Sequence, residues 1–420
     1  MQHSEKTNGR LTYYLQLLGP GLLFAGAAVG VSHLVQSTRA GADYGFALVW
    51  AVVLANILKY PFFQFGPRYA AATGESLIDG YKKQGSLVLA IFVLVTLGTM
   101  FTVQAAVTIV TAALLTNILG FGDPLSWSIV LLISCSVLLA IGQYRLLDSL
   151  IKVVIVILTV STIIALFAVM TRENQFSTVL ANSTFLWTQK EVLFLIALMG
   201  WMPAPIDISV WHSLWTLEKK KITTGSGVKS TLFDFNVGYI GTAILALCFL
   251  SLGALVMYGS GEPFSGSAAT FAGQLIKLYT TSLGEAAWVI IAIAALTTMF
   301  STTITCLDAY PRVMSRTVIA VFPQYELKHA KKLYWVFISI TIIGALIILK
   351  SFSGSLKSLV DLATILSFLT APVLAFMNYR LVTSSFMPDE HKPGMILRIW
   401  SFLGMVFLLG FCVLFLRSFM

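Results

Sequence analysis

The stretch Gly200-Trp201-Met202-Pro203-Ala204-Pro205-Ile206-Asp207 lies in the middle of a long apolar run, residues 190–217. Pro205 removes a backbone donor and clashes with the preceding turn, and Pro203 adds to this, so no continuous helix passes through it. The first apolar run, 12–38, carries a counterpart: Gly26-Ala-Ala-Val-Gly30-Val31-Ser32-His33. Gly30 weakens that helix at a similar depth. Irregular backbone inside a bilayer is tolerated only within protein or beside a wet cavity. The freed carbonyls and half-helix ends are then available to solvate an ion or a polar solute near the midplane.

That these runs are membrane helices follows from composition. Of 420 residues, 57% are hydrophobic and 11% charged, less than half the charge of an ordinary soluble domain. With about 20 apolar residues per crossing, the chain holds material for roughly eleven spans. Apolar runs separated by polar punctuation place them at 12–38, 44–70, 86–117, 126–142, 146–170, 190–217, 230–258, 283–310, 331–350, 357–381 and 395–417, with an amphipathic surface helix over about 266–281. The fold class is therefore an all-α membrane protein of about 11 transmembrane helices, one transmembrane domain over 1–420.

Breaks at positions one and six, five spans apart, predict an inverted five-plus-five repeat. Residues 12–170 form its first half and 190–381 its second; 395–417 is an added helix. The first apolar run is too long for a signal-peptide core and stays as a helix.

The net charge of +9 does not indicate nucleic acid. Of the 27 Lys and Arg, Arg39, Arg172, Lys190, Lys277, Lys350, Lys357 and Arg417 fall on one side, Lys59 and Lys152 lie within spans, and the remaining eighteen share the side of the N-terminus. That excess predicts a cytoplasmic N-terminus, an outer C-terminus and a cell (plasma or inner) membrane location. Cys135, Cys248, Cys306 and Cys412 stand singly in apolar runs and read as buried thiols. No GxSxG, HExxH or paired membrane aspartates point to an enzyme.

Several segments together resemble the Nramp family of divalent-metal transporters: Leu18-Gly-Pro-Gly21, Ala40-Gly-Ala-Asp-Tyr-Gly45, Leu48-Val-Trp50, Ala72-Thr-Gly-Glu-Ser-Leu77, Met202-Pro203, His212-Ser213 and Ser301-Thr-Thr-Ile-Thr305. The resemblance implies a LeuT-like fold with discontinuous helices 1 and 6. It also implies alternating access by a bundle of helices 1, 2, 6 and 7, and a Mn- or Fe-like divalent cation moved with protons. No resident cofactor is expected; the partners are the bilayer and a small-ion or small-molecule substrate.

The departures fall on the substrate site. The family carries Asp-Pro-Gly-Asn at the first break. Here Gly30 takes the Asp place and His33 the Asn place. The family's Met-Pro-His at the second break is Met202-Pro203-Ala204, and a register anchored on His212 puts Asp207 in the lost His position. Residues 86–117 carry no charge where the family has an acid.

Candidate substrate residues are therefore Gly30, His33, Met202, Ala204 and Asp207, with His33, Asp207 and Met202 as metal ligands. An intramembrane carboxylate is a functional-site candidate by default, imidazole and thioether suit transition metals, and Asp207 supplies the charge that Gly30 no longer does. Each has a plainer alternative. Asp207 is also placed as a helix N-cap, His33 to bond a neighbouring carbonyl, and Met202 to fill core.

Lys59, mid-span, is expected to pair with Asp207 or a backbone carbonyl; His212 to relay protons or to pack; Asp361 to gate the outer side. Lys152 is placed to snorkel, and Asp148, Asp234, Glu285 and Asp308 to be solvated at helix ends. An alternative function keeps the fold but moves a small organic acid or other polar solute, held by the half-helix dipoles and Lys59.

Overall fold

The computed structural model describes residues 19–142, 144–171, 175–222, 227–260, 264–322, 324, 329–352 and 355–419. The expected start of the first span (12–18) and Arg172 lie outside these residues, as do the side chains of Asp148 and Lys152. All the described elements are helical. Among the described residues, eight helices are long and apolar enough to cross a membrane, and nine spans result when the bent first pair counts as one.

That pair is α1 (Pro20–Ala28) and α2 (Thr38–Tyr44), with a π-helical segment, Ser32–Ser37, leading into α2. Its two halves are bent by 46° about the residues before Ser32. α3 (Val49–Thr73), the short α4 (Leu77–Gln84), α5 (Ser86–Leu119), α6 (Pro124–Ile141) and α7 (Tyr144–Met170) follow, then a short helix α8 (Gln175–Asn182). The run at 190–217 is broken into α9 (Gln189–Gly200) and α10 (Ile208–Ile222), so the second interruption spans seven residues around Pro203 and Pro205. α11 (Val228–Met257), the amphipathic α12 (Ala268–Leu283), α13 (Trp288–Val321), α14 (Ala330–Ser351), α15 (Leu356–Thr383) and α16 (Met395–Arg417) complete the chain.

Most boundaries match the hydropathy reading within a few residues; α13 does not. Its C-terminal part runs on to Val321, where the sequence suggested an end near Asp308. The charge is neutralised locally: Arg312 Nη2 meets Asp308 Oδ1 at 2.6 Å one turn away, and Tyr334 Oη donates to the same oxygen at 2.6 Å. Asp308 is thus a paired, buried carboxylate and not a solvated one.

Asp234 is a second correction. It is buried on α11, and its two oxygens accept the N–H groups of Gly19 (2.8 Å) and Gly21 (2.9 Å). These are donors that the first turn of α1 leaves unpaired. The carboxylate therefore ties the start of the first broken span to α11. Farther along the same pair of helices, Gly41 of α2 lies against the backbone of α11 so closely that a Cβ would overlap Leu250 O. Small residues at such crossings let membrane helices pack backbone to backbone. Glu285 is exposed, as expected.

Two groups of helices result. α1, α2, α3, α10 and α11 pack on one another, while α5 packs against α12, α13, α14 and α15, and α9 lies on α15. The two breaks lie where these groups meet.

Candidate substrate cavity

Between the groups is a cavity lined by Ala27, Ala28, Val31 and Ser32 of the first broken span, and by Trp201, Ala204, Pro205, Ile208 and Trp211 of the second. Val103 and Val107 of α5 and Thr302 and Cys306 of α13 close it. A water-sized sphere can place its centre over ≈ 20 Å³ there, room for a water or two. The breaks touch directly: Ser32 Oγ lies 3.2 Å from Pro203 O. Thr302 Oγ1 is 3.3 Å from Gly26 O, so α13 supports the first break from the other side.

The structure sorts the candidate residues. Ala204 lines the cavity; Gly30, His33, Met202 and Asp207 do not. His33 turns to α11, with Nε2 2.9 Å from Thr242 O and Nδ1 2.7 Å from Ser32 Oγ. A carbonyl only accepts, so Nε2 carries the proton and donates, and Nδ1 is the acceptor. This is the carbonyl-bonded alternative: Nε2 is engaged away from the cavity, and Nδ1 is occupied by Ser32, which stands between the ring and the cavity. Met202 is fully buried, with Ser37 Oγ 3.9 Å from its sulfur.

Asp207 precedes α10 but does not cap it: the N–H groups of Ser209 and Val210 donate to Ile206 and Asp207 carbonyls. Its Oδ2 instead accepts from Thr99 Oγ1 of α5 (3.2 Å) and Tyr310 Oη of α13 (3.3 Å). It therefore bridges the second break to the opposing group through two neutral hydroxyls. His33 and Asp207 share no partner, and among the described residues no three His, Cys, Asp or Glu cluster as a metal site.

Lys59 bonds backbone carbonyls and not Asp207. Its Nζ donates to Met199 O (3.1 Å), Gly200 O (3.0 Å) and Ala204 O (3.1 Å). His212 is buried among Phe24, Phe235 and Trp215, with no hydrogen-bond partner on either ring nitrogen, which is its packing alternative. The four cysteines are free, with Cys135, Cys248 and Cys306 buried and Cys412 partly so.

Asp361 stands where a gate is expected. Arg39 of α2 meets it with Nη1–Oδ1 at 2.7 Å and Nη2–Oδ2 at 3.3 Å. Gln36 donates to the same Oδ1 (3.1 Å), and the Arg39 guanidinium lies 4.7 Å from the Phe194 ring centre on α9. Sequence reasoning counted Arg39 only as a loop charge. Its burial, to 5% exposure, ties the second half of the first span to α15 and α9.

Gly30 has a packing role. A Cβ built there comes within 2.7 Å of Thr302 Oγ1 and 3.0 Å of its methyl. The position expected from the sequence to match the family's acid is thus crowded by Thr302. Gly30→Ala is expected to cost about 1–3 kcal/mol through overpacking, seen as a lower melting temperature of purified protein; an unchanged melt would show that Thr302 yields freely.

The model of the family described as natural resistance-associated macrophage protein-like matches residues 21–418. The chain belongs to this Nramp-like family. An uncharacterised protein of Pasteurella multocida is 39% identical over 407 residues, covering 96% of this chain and 92% of that one. Among solved structures, a variant of the manganese transporter of Eremococcus coleocola superposes with a TM-score of 0.71 at 14% identity, covering 96% and 86% of the two chains. The protein MhsT, solved with L-phenylalanine, superposes with a TM-score of 0.64 at 15% identity, covering 95% and 98%. The fold is thus LeuT-like, and family and fold are those of multi-pass membrane transporters and not of enzymes.

Proposed function

We propose that this Nramp-like protein is a secondary active transporter that moves a divalent metal cation of the Mn or Fe type, coupled to protons, by alternating access. The observation that carries transport is the meeting of two broken spans around a cavity at the seam between two packed helix groups. The 12–170 and 190–381 halves are the inverted repeats, and the group of α1, α2, α3, α10 and α11 rocks against the rest. The end holding Arg39 and Asp361 faces outside, so this state is closed there. The metal reading rests on family membership and on Asp207, a buried carboxylate beside the second break whose side-chain hydrogen-bond partners are two hydroxyls. Met202, Ala204 O and His33 reach it only if the breaks rearrange when the halves move.

A second reading, a small organic acid or other polar solute, is favoured by the lining. Apart from Ser32, Thr302, Cys306 and two indole rings, the side chains around the cavity are apolar, and it holds no carboxylate. Uptake of Mn²⁺ into proteoliposomes, with Mg²⁺ as competitor and internal pH recorded, separates the two. Mn²⁺ flux with acidification and weak Mg²⁺ competition supports the metal reading. A folded preparation without Mn²⁺ flux, melting higher with an organic acid than with metals, transfers the assignment to the second.

A further inference from the structure

The amine of Lys59 sits fully buried at the C-terminal end of α9, where the helix stops at the second break. An ammonium has three donors and no acceptor, and here each donor has one carbonyl: Met199 O, Gly200 O and Ala204 O, at 3.0–3.1 Å. The first two lie at a helix end, where the peptide dipoles concentrate negative charge; Met199 O also accepts the Met202 N–H at 3.3 Å. The third comes from the irregular link. The Phe63 ring, one turn along α3, lies 5.8 Å from the ammonium, within cation–π range. Among the described residues no carboxylate forms an ion pair with Lys59; Asp207 acts on it only through space, and the direct contacts are backbone oxygens and a ring face.

We propose that the break in the sixth span is a monovalent-cation site whose cation is built into the chain. Three converging carbonyls at a helix C-terminus are the donor set that a half-helix end offers to a monovalent ion. Lys59 supplies that charge on a tether from α3 and so holds α9, the link and α3 together without a free ion. The transporter accordingly needs no monovalent ion at this place to close the break. The distances are those of ammonium hydrogen bonds, so the vacated site favours ammonium or methylammonium, then potassium; a smaller ion draws the carbonyls inward. The inference rests on this geometry and is independent of the cargo assignment.

The test is melting of the purified full chain in choline chloride, ammonium chloride, methylammonium chloride and potassium chloride. Wild type is expected to melt alike in all four. Lys59→Ala, which leaves the carbonyls and an empty space, is expected to melt lower in choline and to regain about 3 °C or more with ammonium or methylammonium. Lys59→Met, which fills the space with an apolar chain, is expected to melt lower and to gain nothing. A Lys59→Ala protein whose melt does not depend on the cation overturns the proposal, and so does one as stable as wild type in choline. If that variant cannot be purified, recovery of monodisperse fluorescent fusion extracted in ammonium against choline decides it, and equal recovery counts against the built-in cation. Manganese flux does not enter these readouts, so failure here is separable from failure of the metal reading.

Discussion

Asp207→Asn is expected to lower Mn²⁺ affinity, measured by calorimetry, at least a hundred-fold, or about 3 kcal/mol. Asparagine keeps the shape and an acceptor oxygen, so Thr99 and Tyr310 keep their partner and the fold is retained. What is lost is one formal negative charge in a buried place, where a dication has few other sources of compensation. Gly30 cannot supply it because Thr302 fills the space a side chain needs. Asp361 is already committed to Arg39, and Asp234 to the N–H groups of Gly19 and Gly21. Asp308 is tied to Arg312 and Tyr334. Asp207 is the buried carboxylate at the breaks whose hydrogen-bond partners on other helices are neutral, with Lys59 acting on it through space but forming no ion pair, and so the one with charge to offer a metal. Unchanged affinity in the variant removes Asp207 from the metal site. Wild type that binds no Mn²⁺ at all instead points to the organic-solute reading, in which Asp207 serves to couple the break to α5 and α13.

The parts of this site that were legible in the sequence are those written in residue types with strong backbone consequences. Pro203 and Pro205, two residues apart, and Gly30 weaken a helix, and their positions located both breaks, although the single prolines Pro61, Pro67, Pro311 and Pro372 leave their helices continuous. Long apolar runs located the spans for the same reason, since a bilayer admits few alternatives. What the sequence did not disclose depends on partners remote along the chain. Lys59 meets oxygens that belong to Met199, Gly200 and Ala204 only as backbone, so no side-chain type announces the cage. Asp207 is met by Thr99 and Tyr310, hydroxyls with no signature among dozens of others. His33 looked like a ligand because imidazole can be one; whether it is depends on where its ring turns, and Thr242 O decided that. Asp234 and Asp308 looked solvated because they lie toward helix ends, but neighbouring helices cover those ends. The one usable signal was charge itself. Asp361, set between Val360 and Leu362, is found by a search for charges inside apolar flanks; its buried partner Arg39, among Ser37, Thr38 and Asp43, is not.

Arg39→Ala is expected to open the side of the cavity that this ion pair closes. The pair is bidentate, Arg39 is nearly buried, and Gln36 and Phe194 hold its two ends in place. It crosses between the first broken span and α15, which belong to different helix groups, so under the proposed rocking it would contribute to one state and to nothing once the groups separate. Charged hydrogen bonds of this kind contribute about 2 kcal/mol, which shifts a two-state equilibrium roughly thirty-fold. The reporter is Cys306, a buried thiol in the cavity wall. With the other three cysteines replaced by serine or alanine, a membrane-impermeant thiol reagent added outside should label Cys306 at least ten-fold faster in Arg39→Ala than in the parent. Asp361→Asn should act in the same direction and more weakly, since an amide still accepts from Arg39. Labelling that accelerates only when reagent is added from the cytoplasmic side would reverse the orientation deduced from Lys and Arg. Labelling that does not accelerate from either side would mean the ion pair packs α2 on α15 without restraining the motion, and the closure of this end would then rest on the apolar contacts around Trp201, whose indole N–H is fixed to Ser367 of α15 at 2.7 Å.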